Sequence, residues 1–317
     1  MKYLSFLFLI PLLSFGQGVL DESRKLIDDK HFNKAEQQLV RYIGSHQNEK
    51  EAIELLGDAY GHQKKWDEAA EQYKTLTEIE PNNPNYHYKY GGALGMKALS
   101  VSKFSALLFI DDIKEAFLKA AKLDPKHIDT RWALVELYMQ LPGIIGGSKA
   151  TSLKYANELE VISKVDGYLA KGYVYEYDEE PELAEKYYKM AIEEGGSFNC
   201  YEKLTTLYEN EKQPEKAILN MEATEKVHKR NAMHYQIGKV CAEYNIQLEK
   251  GERCLMVYLE NHSAKDGVPK AWAYYRLAQI NKYKNKKSKA LEYIDLALSE
   301  LPDIEPFQKE KTSILNL

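Results

Sequence analysis

The stretch that decides the fold runs from Glu51 to Pro84 and reads EAIELLGDAYGHQKKWDEAAEQYKTLTEIEPNNP. Small residues at Gly57 and Ala69 allow two antiparallel helices to approach closely, and Tyr60 and Tyr73 fill the space beside that contact. The chain turns between the two helices, and a proline ends the second one because proline lacks an amide donor. The stretch therefore predicts a helix–turn–helix in which Gly57 packs on Ala69.

This order of small and aromatic positions resembles the tetratricopeptide repeat (TPR), a helix–turn–helix with a period of 34 residues. One such unit cannot bury its apolar face alone, so repeats of the same kind should flank it. The resemblance implies an all-α fold, a right-handed α-solenoid of TPR-like antiparallel helix pairs of the exported bacterial type. It also implies that Gly172 packs on Ala184 and that Ala278 packs on Ala290.

The repeat pattern recurs along the chain with uneven clarity. The fifth and eighth repeats match the motif well, the first is weak, as a cap would be, and the seventh is degenerate after Cys241. Phe307 and Ile314 lie on a last amphipathic helix and can cover the final pair. We place the repeats at residues 17–49, 50–83, 84–127, 128–164, 165–197, 198–230, 231–269 and 270–303, with a C-terminal capping helix at 304–317.

The N-terminal stretch MKYLSFLFLIPLLSFG, from Met1 to Gly16, has the composition of a signal peptide. Lys2 supplies the positive charge, and the apolar run that follows is too short to span a bilayer. Small residues at its end predict cleavage near Gly16–Gln17, so the mature chain should be exported and either periplasmic or secreted. An uncleaved N-terminal anchor is the alternative. No other apolar run is long enough to form a transmembrane segment.

Composition excludes some classes of partner and site. The chain has 43 Lys and Arg residues against 48 Asp and Glu residues, and this balance argues against nucleic-acid binding, which needs a concentrated basic patch. Three cysteines, Cys200, Cys241 and Cys254, do not form a disulfide framework for a chain of this size. Cys241 and Cys254 flank a predicted turn symmetrically, so a bond and two buried thiols both remain open. No histidine has metal-ligand spacing, so we expect no metal and no cofactor.

The third repeat is longer than the motif requires. Its closing proline, Pro125, comes 44 residues after Pro81 instead of 34, and the extra residues fall within Gly92 to Asp112. We expect two lengthened helices here, with the apolar run SALLFI (Ser105 to Ile110) packed against a neighbouring repeat. A patch that faces a partner is the alternative interpretation of this run.

The turn of the fourth repeat, Leu141 to Ser148, reads LPGIIGGS. Its glycines do not form a phosphate-binding loop, because no strand precedes them and no Lys-Ser/Thr pair follows. Ile144 and Ile145 predict that this loop folds back on the array. The carboxylates of the chain occupy solvated helix faces and no nucleophile elbow is present, so we expect no catalytic residues.

The resemblance to TPR arrays implies a concave groove lined by the first helix of each repeat. Lys with Asn or Arg, the set by which some members of the family hold an acidic C-terminus, does not occur at the matching positions. Aromatic and acidic residues occur there instead and favour peptides with basic and apolar residues. Carried over by position, the partner-binding residues are Tyr88, Trp132, Glu136, Tyr173, Glu176, Tyr177, Glu202, Tyr235, Trp272 and Tyr275.

Two functions follow from these observations. The first is an exported, non-enzymatic scaffold that holds a protein or peptide partner in the groove. The second is a small-molecule-binding or catalytic envelope protein that uses a pocket at the third repeat and the Leu141–Ser148 loop. A deep closed cavity in that region would favour the second function, and an open groove would favour the first.

Overall fold

The computed structural model describes the backbone from Ile10 to Leu317 and the side chains from Gly18 onward. Most of the predicted signal peptide therefore lies outside the described residues. All regular elements in the described part of the chain are helices. The contacts divide the chain into an N-terminal unit that ends at Ser163 and a C-terminal unit, Lys164–Leu317.

The N-terminal unit consists of helices that pack in consecutive antiparallel pairs. The pairs are α1 with α2, α3 with α4, α5 with α7 and α8 with α9, and a short helix, α6, interrupts the third pair. Their bounds are α1 (Ile10–Asp28), α2 (Phe32–Ser45), α3 (Lys50–His62), α4 (Trp66–Ile79), α5 (Pro84–Ser100), α6 (Lys103–Ala106), α7 (Ile110–Leu123), α8 (Ile128–Gln140) and α9 (Lys149–Ile162).

The C-terminal unit repeats this arrangement. Its pairs are α10 with α11, α12 with α13, α14 with α15 and α16 with α17, and α18 packs on the last of them. The bounds are α10 (Lys164–Tyr177), α11 (Pro181–Gly195), α12 (Phe198–Asn210), α13 (Pro214–His228), α14 (Ala232–Tyr244), α15 (Leu248–Glu260), α16 (Lys270–Tyr283), α17 (Lys287–Glu300) and α18 (Glu305–Leu315). The predicted all-α class built from antiparallel helix pairs is confirmed.

Several turns inside the pairs share one helix-ending geometry. Lys64 adopts a left-handed conformation with φ of 60°, and the next residue, Lys65, donates its backbone N–H to the carbonyl of Tyr60 at 3.0 Å. Glu179 and Glu180 repeat the geometry at the end of α10, with φ of 59° and a bond of 2.9 Å to Tyr175. This hydrogen bond satisfies a carbonyl that the helix end would leave unpaired.

The helices approach closely at glycine, and a tyrosine ring fills the space beside each of the two glycines. A methyl group added at Gly57 would lie 2.6 Å from the ring of Tyr73, and one added at Gly172 would lie 2.3 Å from the ring of Tyr188. A tyrosine ring is therefore the nearest group to each glycine, and the contacts with Ala69 and Ala184 stay predictions. The fully buried Ala69, like Ala184, lies one turn before the tyrosine.

The third repeat departs from its prediction as well. Only its first helix is lengthened, and α6 and a short 3₁₀ segment (Leu107–Phe109) precede a second helix of ordinary length. The SALLFI run does not pack against a neighbouring repeat. Leu108 is 79 % exposed, and Phe104, just before the run, is 86 % exposed. Ile110, which begins α7, is the buried end of the run because it faces the core of the pair.

The LPGIIGGS loop folds onto itself. Ile144 is 96 % exposed and does not pack on the array as predicted, whereas Ile145 is half-buried. Gly146 has φ of 97°, and a side chain at Gly147 would collide with the carbonyl of Leu141 at 1.7 Å. The loop touches the array through Lys114 of α7, whose Nζ donates to the carbonyl of Ile145 at 2.6 Å.

The C-terminal helix closes the last pair. Phe307 and Ile314 are fully buried in one cluster with Ala278 and Ala290. Lys282 of α16 lies 2.6 Å from Glu310, so an ion pair accompanies this apolar contact. Within the described part of the chain, no helix is both long enough and apolar enough to cross a membrane.

Candidate functional site

The N-terminal unit presents three of the predicted groove residues on α5 and α8. The ring of Tyr88 is half-buried, with its centroid 5.3 Å from that of His127 and 6.1 Å from that of Phe117. Burial raises the pKa of Tyr88, and the charges of Asp129 and Glu136 add to the effect. Trp132 is half-buried and Glu136 is exposed on the neighbouring helix. These residues can therefore contact a partner only with part of their surface.

Carboxylates on α3 are neutralised within the fold. Lys89 of α5 places its Nζ 2.7 Å from Glu54 and 2.7 Å from Asp58. The hydroxyl of Tyr73 donates to the same Asp58 at 2.7 Å. Burial lowers the pKa of Lys89, but the two carboxylates outweigh it, and the net shift is upward. The ammonium group of Lys89 thus stays charged between Glu54 and Asp58. Because it neutralises part of their negative charge, these two carboxylates attract a basic partner only weakly.

In the C-terminal unit, α10 carries an aromatic and acidic group. The rings of Tyr173 and Tyr177 lie 6.0 Å apart between centroids, and Tyr177 is 51 % exposed. Glu176, between them in sequence, accepts hydrogen bonds from the hydroxyl of Tyr188 at 2.7 Å and from the side-chain amide of Asn210 at 3.2 Å. The structure thus fixes the orientation of the Glu176 carboxylate by two neutral donors.

A cleft of about 210 Å³ lies between α12, α13 and α14. Its floor is formed by side chains of α13 that are only 2 % exposed, Met221 and Thr224. Residues of α12 and α14 form the walls of this cleft, and they are Phe198, Glu202, Thr205, Thr206, Glu209, Met233 and Gln236. The Met221 thioether and the methyl group of Thr224, beside two carboxylates, suit the aliphatic stem and charged head of a lysine or arginine.

One carboxylate of this cleft has an altered proton affinity. Burial raises the pKa of Glu209, Lys239 lowers it, and the nearby Glu243 raises it further. Glu243 is itself bound by Arg276 at 2.6 Å, so its negative charge is largely compensated. Glu209 is exposed, and an additional cation would stabilise its charged form.

The last two repeats use their predicted groove aromatics for packing. Tyr235 is only 6 % exposed, and its ring centroid lies 5.3 Å from that of Tyr258. Trp272 and Tyr275 both contact Phe307 of α18, with centroids 4.9 Å and 5.0 Å away. The ring of Tyr235 is therefore a core group, and α18 covers part of the other two rings.

The cysteines are free thiols in this structure. Cys241 is fully buried, and its Cβ faces Gly251, where an added methyl group would lie 2.6 Å away. Burial raises the pKa of Cys241 to about 11, which opposes reactivity.

Two further clefts lie away from the third repeat's insertion and the LPGIIGGS loop. One is lined by α1 and α2 residues around Gln38, and the other by the turn from Glu80 to Pro84. None of the three clefts is lined by residues 92–112 or 141–148. The pocket expected by the small-molecule alternative therefore does not appear among them.

Comparisons with known proteins agree with this architecture. The family described as "TPR repeat" matches residues 57–97, and that described as "Tetratricopeptide repeat" matches residues 273–302. The chain therefore contains tetratricopeptide repeats in both of these regions. TPR folds are typically non-enzymatic, and the repeats support a general role for this TPR protein as a scaffold for protein–protein interaction. No curated protein matches the chain.

Solved structures of TPR proteins share the fold. A TPR protein of Parabacteroides merdae is 14 % identical with a TM-score of 0.50, and the match covers 95 % of this chain and 98 % of that one. A thermophilic TPR protein of Thermus thermophilus is 13 % identical with a TM-score of 0.50, and the match covers 61 % of this chain and 98 % of that one. At these identities the likeness concerns the fold alone.

The sequence did not indicate every residue of the C-terminal cleft. Glu202 and Glu209 follow from their positions on a first helix, whereas Met221 and Thr224 come from the second helix of that repeat. Met221 and Thr224 are three residues apart and therefore lie on one helix face. This spacing was the only sequence feature that could have indicated them as cleft residues. A pattern of this kind also describes any core face, so it could not single out the cleft.

Proposed function

We propose that this TPR protein is an exported, non-enzymatic scaffold that binds a protein or peptide partner with basic and apolar residues. The observation that supports this function is the cleft of α12, α13 and α14, where Glu202 and Glu209 stand beside Phe198 and Met233. A lysine or arginine side chain entering the cleft would meet carboxylates with its head and apolar groups with its stem.

Side chains next to this cleft extend the proposed surface. Tyr177 on α10 offers an exposed ring that loses little rotamer entropy on binding, and Glu176 beside it offers an oriented carboxylate. Tyr173 contributes the half of its ring that remains accessible. In the N-terminal unit, Trp132 and Glu136 are the corresponding contacts, and Tyr88 is a secondary one. Tyr235 is assigned to packing instead, and Trp272 and Tyr275 contribute only the part of each ring that α18 leaves accessible.

A binding assay with defined peptides tests the proposed partner chemistry. A fluorescent peptide with alternating lysine and leucine residues is compared with an otherwise identical peptide in which glutamate replaces lysine, by fluorescence anisotropy. We expect the basic peptide to bind at least tenfold more tightly, with an affinity that falls as salt rises. Equal affinity for both peptides, or binding of the acidic one alone, would contradict the proposal.

Substitutions locate the binding in the cleft. The double variant Glu202→Gln with Glu209→Gln should lower the affinity for the basic peptide by about tenfold. It should also make that affinity depend less on the salt concentration. The matched control is Glu193→Gln with Glu215→Gln, which removes the same charge from exposed positions on second helices. If the control weakens binding as much as the cleft variant does, the attraction is a property of net charge and not of the cleft.

The proposed export is tested separately. The chain expressed from its own start codon is recovered from cytoplasm, periplasm and medium, and the N-terminus is sequenced. We expect the exported chain to begin at Gln17, because the small residues before it suit a signal peptidase. Recovery of the whole chain from the cytoplasm with Met1 or its processed equivalent at the start would refute export and leave the binding proposal intact.

A further inference from the structure

A group of exposed apolar side chains lies at the end of the α5–α7 pair. Phe104 is 86 % exposed, Leu108 is 79 % exposed and Leu99 is 72 % exposed, with Met96 at 44 % and Leu107 at 48 %. Single exposed apolar residues are ordinary on protein surfaces, but a contiguous group marks an interaction site. All five belong to the insertion that lengthens the third repeat and to the helix end that leads into it.

The loop of the next repeat extends this group. Lys114, one turn after the insertion, donates its Nζ to the carbonyl of Ile145 at 2.6 Å, so the loop lies at the same edge of the unit. Ile144, next in the loop, is 96 % exposed. Because nearly the whole side chain is in solvent, it projects from the surface. We call the following residues the apolar edge: Met96, Leu99, Phe104, Leu107, Leu108 and Ile144.

Charged groups around the apolar edge nearly cancel. Lys103 is exposed next to Phe104, and Asp111 and Asp112 are exposed at the start of α7. Lys97 is paired with Asp67 at 2.5 Å. The edge therefore has no strong field of either sign, and what binds it must do so mainly through apolar contact.

The size and shape of the apolar edge favour one of two binding partners, a second copy of the chain or a lipid surface. Its six partly to fully exposed side chains present on the order of 500–600 Å² of apolar surface. A stable interface between two protein chains buries about 800 Å² on each. Phe104, Leu108 and Ile144 are exposed by 79 to 96 %, so they project from the surface and do not themselves line a groove. A lipid surface needs neither a groove nor shape complementarity.

We propose that the apolar edge inserts into the surface of a lipid bilayer and holds the chain there as a peripheral protein. Phe104, Leu108 and Ile144 enter the boundary between headgroups and acyl chains, and Lys103 remains at the level of the phosphates. The insertion and the LPGIIGGS loop contain none of the proposed groove residues. In this arrangement both segments contact the bilayer. The proposal is independent of the peptide-binding cleft in the C-terminal unit.

Vesicle flotation tests the proposal. The chain from Gln17 onward is used, because residues 1–16 are themselves apolar and would bind lipid, while the described core from Leu20 is retained. The chain is mixed with phosphatidylcholine vesicles, and separately with vesicles in which a quarter of the lipid is phosphatidylglycerol. We expect flotation with both compositions and no loss in high salt, since the charges of the edge are balanced.

Two double variants give the discriminating comparison. Phe104→Ser with Leu108→Ser should lower the vesicle partition coefficient by about tenfold or more, because both side chains leave water on insertion. The matched control, Leu219→Ser with Val227→Ser, removes side chains that are 61 % and 56 % exposed on α13 and should float as the unchanged chain does. Circular dichroism and a thermal melt confirm that both variants fold.

Three outcomes would overturn the proposal. One is that the unchanged chain does not float, and another is that the edge variant floats as well as the control. The third is binding only to phosphatidylglycerol and only in low salt, which would indicate surface charge instead of apolar insertion. A chain that fails to float yet sediments as a dimer that the edge variant abolishes would show that the edge binds a second copy.

Discussion

Replacing Gly172 by alanine tests the contact on which the helix pairs depend. Gly172 lies on α10 opposite Tyr188 of α11, and the ring of Tyr188 is only 1 % exposed. An added Cβ would lie 2.3 Å from one ring carbon and 2.4 Å from another, where ordinary contacts begin at 3.4 Å. The ring cannot simply rotate away, because its hydroxyl donates to Glu176 at 2.7 Å. One of the two helices must therefore move.

The expected loss of stability follows from two opposing terms. Overpacking in a buried contact costs about 1–3 kcal/mol, and an overlap of about 1 Å with two atoms of a fixed ring puts this case near the upper value. Alanine is a better helix former than glycine by about 1 kcal/mol. The net result for Gly172→Ala is a decrease of about 2 kcal/mol in the free energy of unfolding, or about 4–8 °C in Tm for a unit of this size.

The measurement is thermal and urea unfolding followed by circular dichroism at 222 nm. The matched control is Gly92→Ala on α5, where no heavy atom lies within 4 Å of the added methyl group. The control should be up to about 1 kcal/mol more stable than the unchanged chain, because only the helix-propensity term acts. If Gly172→Ala is as stable as that control, the glycine–tyrosine contact is not tight and our account of the helix pairs is incorrect.

Three further substitutions check electrostatics and packing in the C-terminal unit. Burial raises the pKa of Glu185, but hydrogen bonds from two lysines and a tyrosine outweigh it and lower the pKa from 4.5 to about 2. The stabilisation by ionised Glu185 is therefore complete above about pH 4.5 and is lost as the pH falls toward 2. In the Glu185→Gln variant, the free energy of unfolding should fall by on the order of 1–2 kcal/mol less over this pH range than in the unchanged chain. Tyr235→Ala should lower stability by about 3 kcal/mol or more, whereas Tyr177→Ala should change it by about 0.5 kcal/mol or less, as urea unfolding would show.

The sequence predicted the helix pairs because their signals are local. Spacing of small and aromatic residues, turn chemistry and closing prolines all act within one repeat, and they agree with each other. A tyrosine ring is the group nearest to Gly57 and to Gly172 because a long side chain on a helix leans toward the N-terminus and covers the preceding turn. The ring of Tyr73 therefore occupies the space beside Gly57, above Ala69, although its own Cα lies a turn further on.

The sequence could not predict how deeply each side chain of the site is buried. Position in the repeat places Tyr235 and Tyr275 on a first helix, but burial depends on which later helix covers them. Phe307 of α18 covers Tyr275, and Tyr258 of α15 packs on Tyr235. Likewise, the apolarity of the insertion predicts burial, yet Phe104 lies on a helix of four residues that is too short to turn it inward.

In our proposal a carboxylate near the tight glycine contact serves both stability and binding, and the two units differ in what remains of its charge. Asp58 receives the hydroxyl of Tyr73 and also the ammonium of Lys89, 2.7 Å away in each case. Glu176 receives the hydroxyl of Tyr188 at 2.7 Å and a neutral amide donor. The charge of Glu176 is thus oriented but not cancelled by these bonds, which suits a basic partner.

Replacing each acid by its amide separates the two roles. Glu176→Gln keeps an acceptor for the tyrosine hydroxyl, so it should cost at most about 1 kcal/mol of stability, while slowing association of the basic peptide severalfold at low salt. Asp58→Asn removes a charge that Lys89 already neutralises, so peptide association should stay within about twofold. Stopped-flow anisotropy at two salt concentrations measures both rates. Equal slowing by the two variants would mean that long-range charge, and not the oriented carboxylate of Glu176, guides the partner.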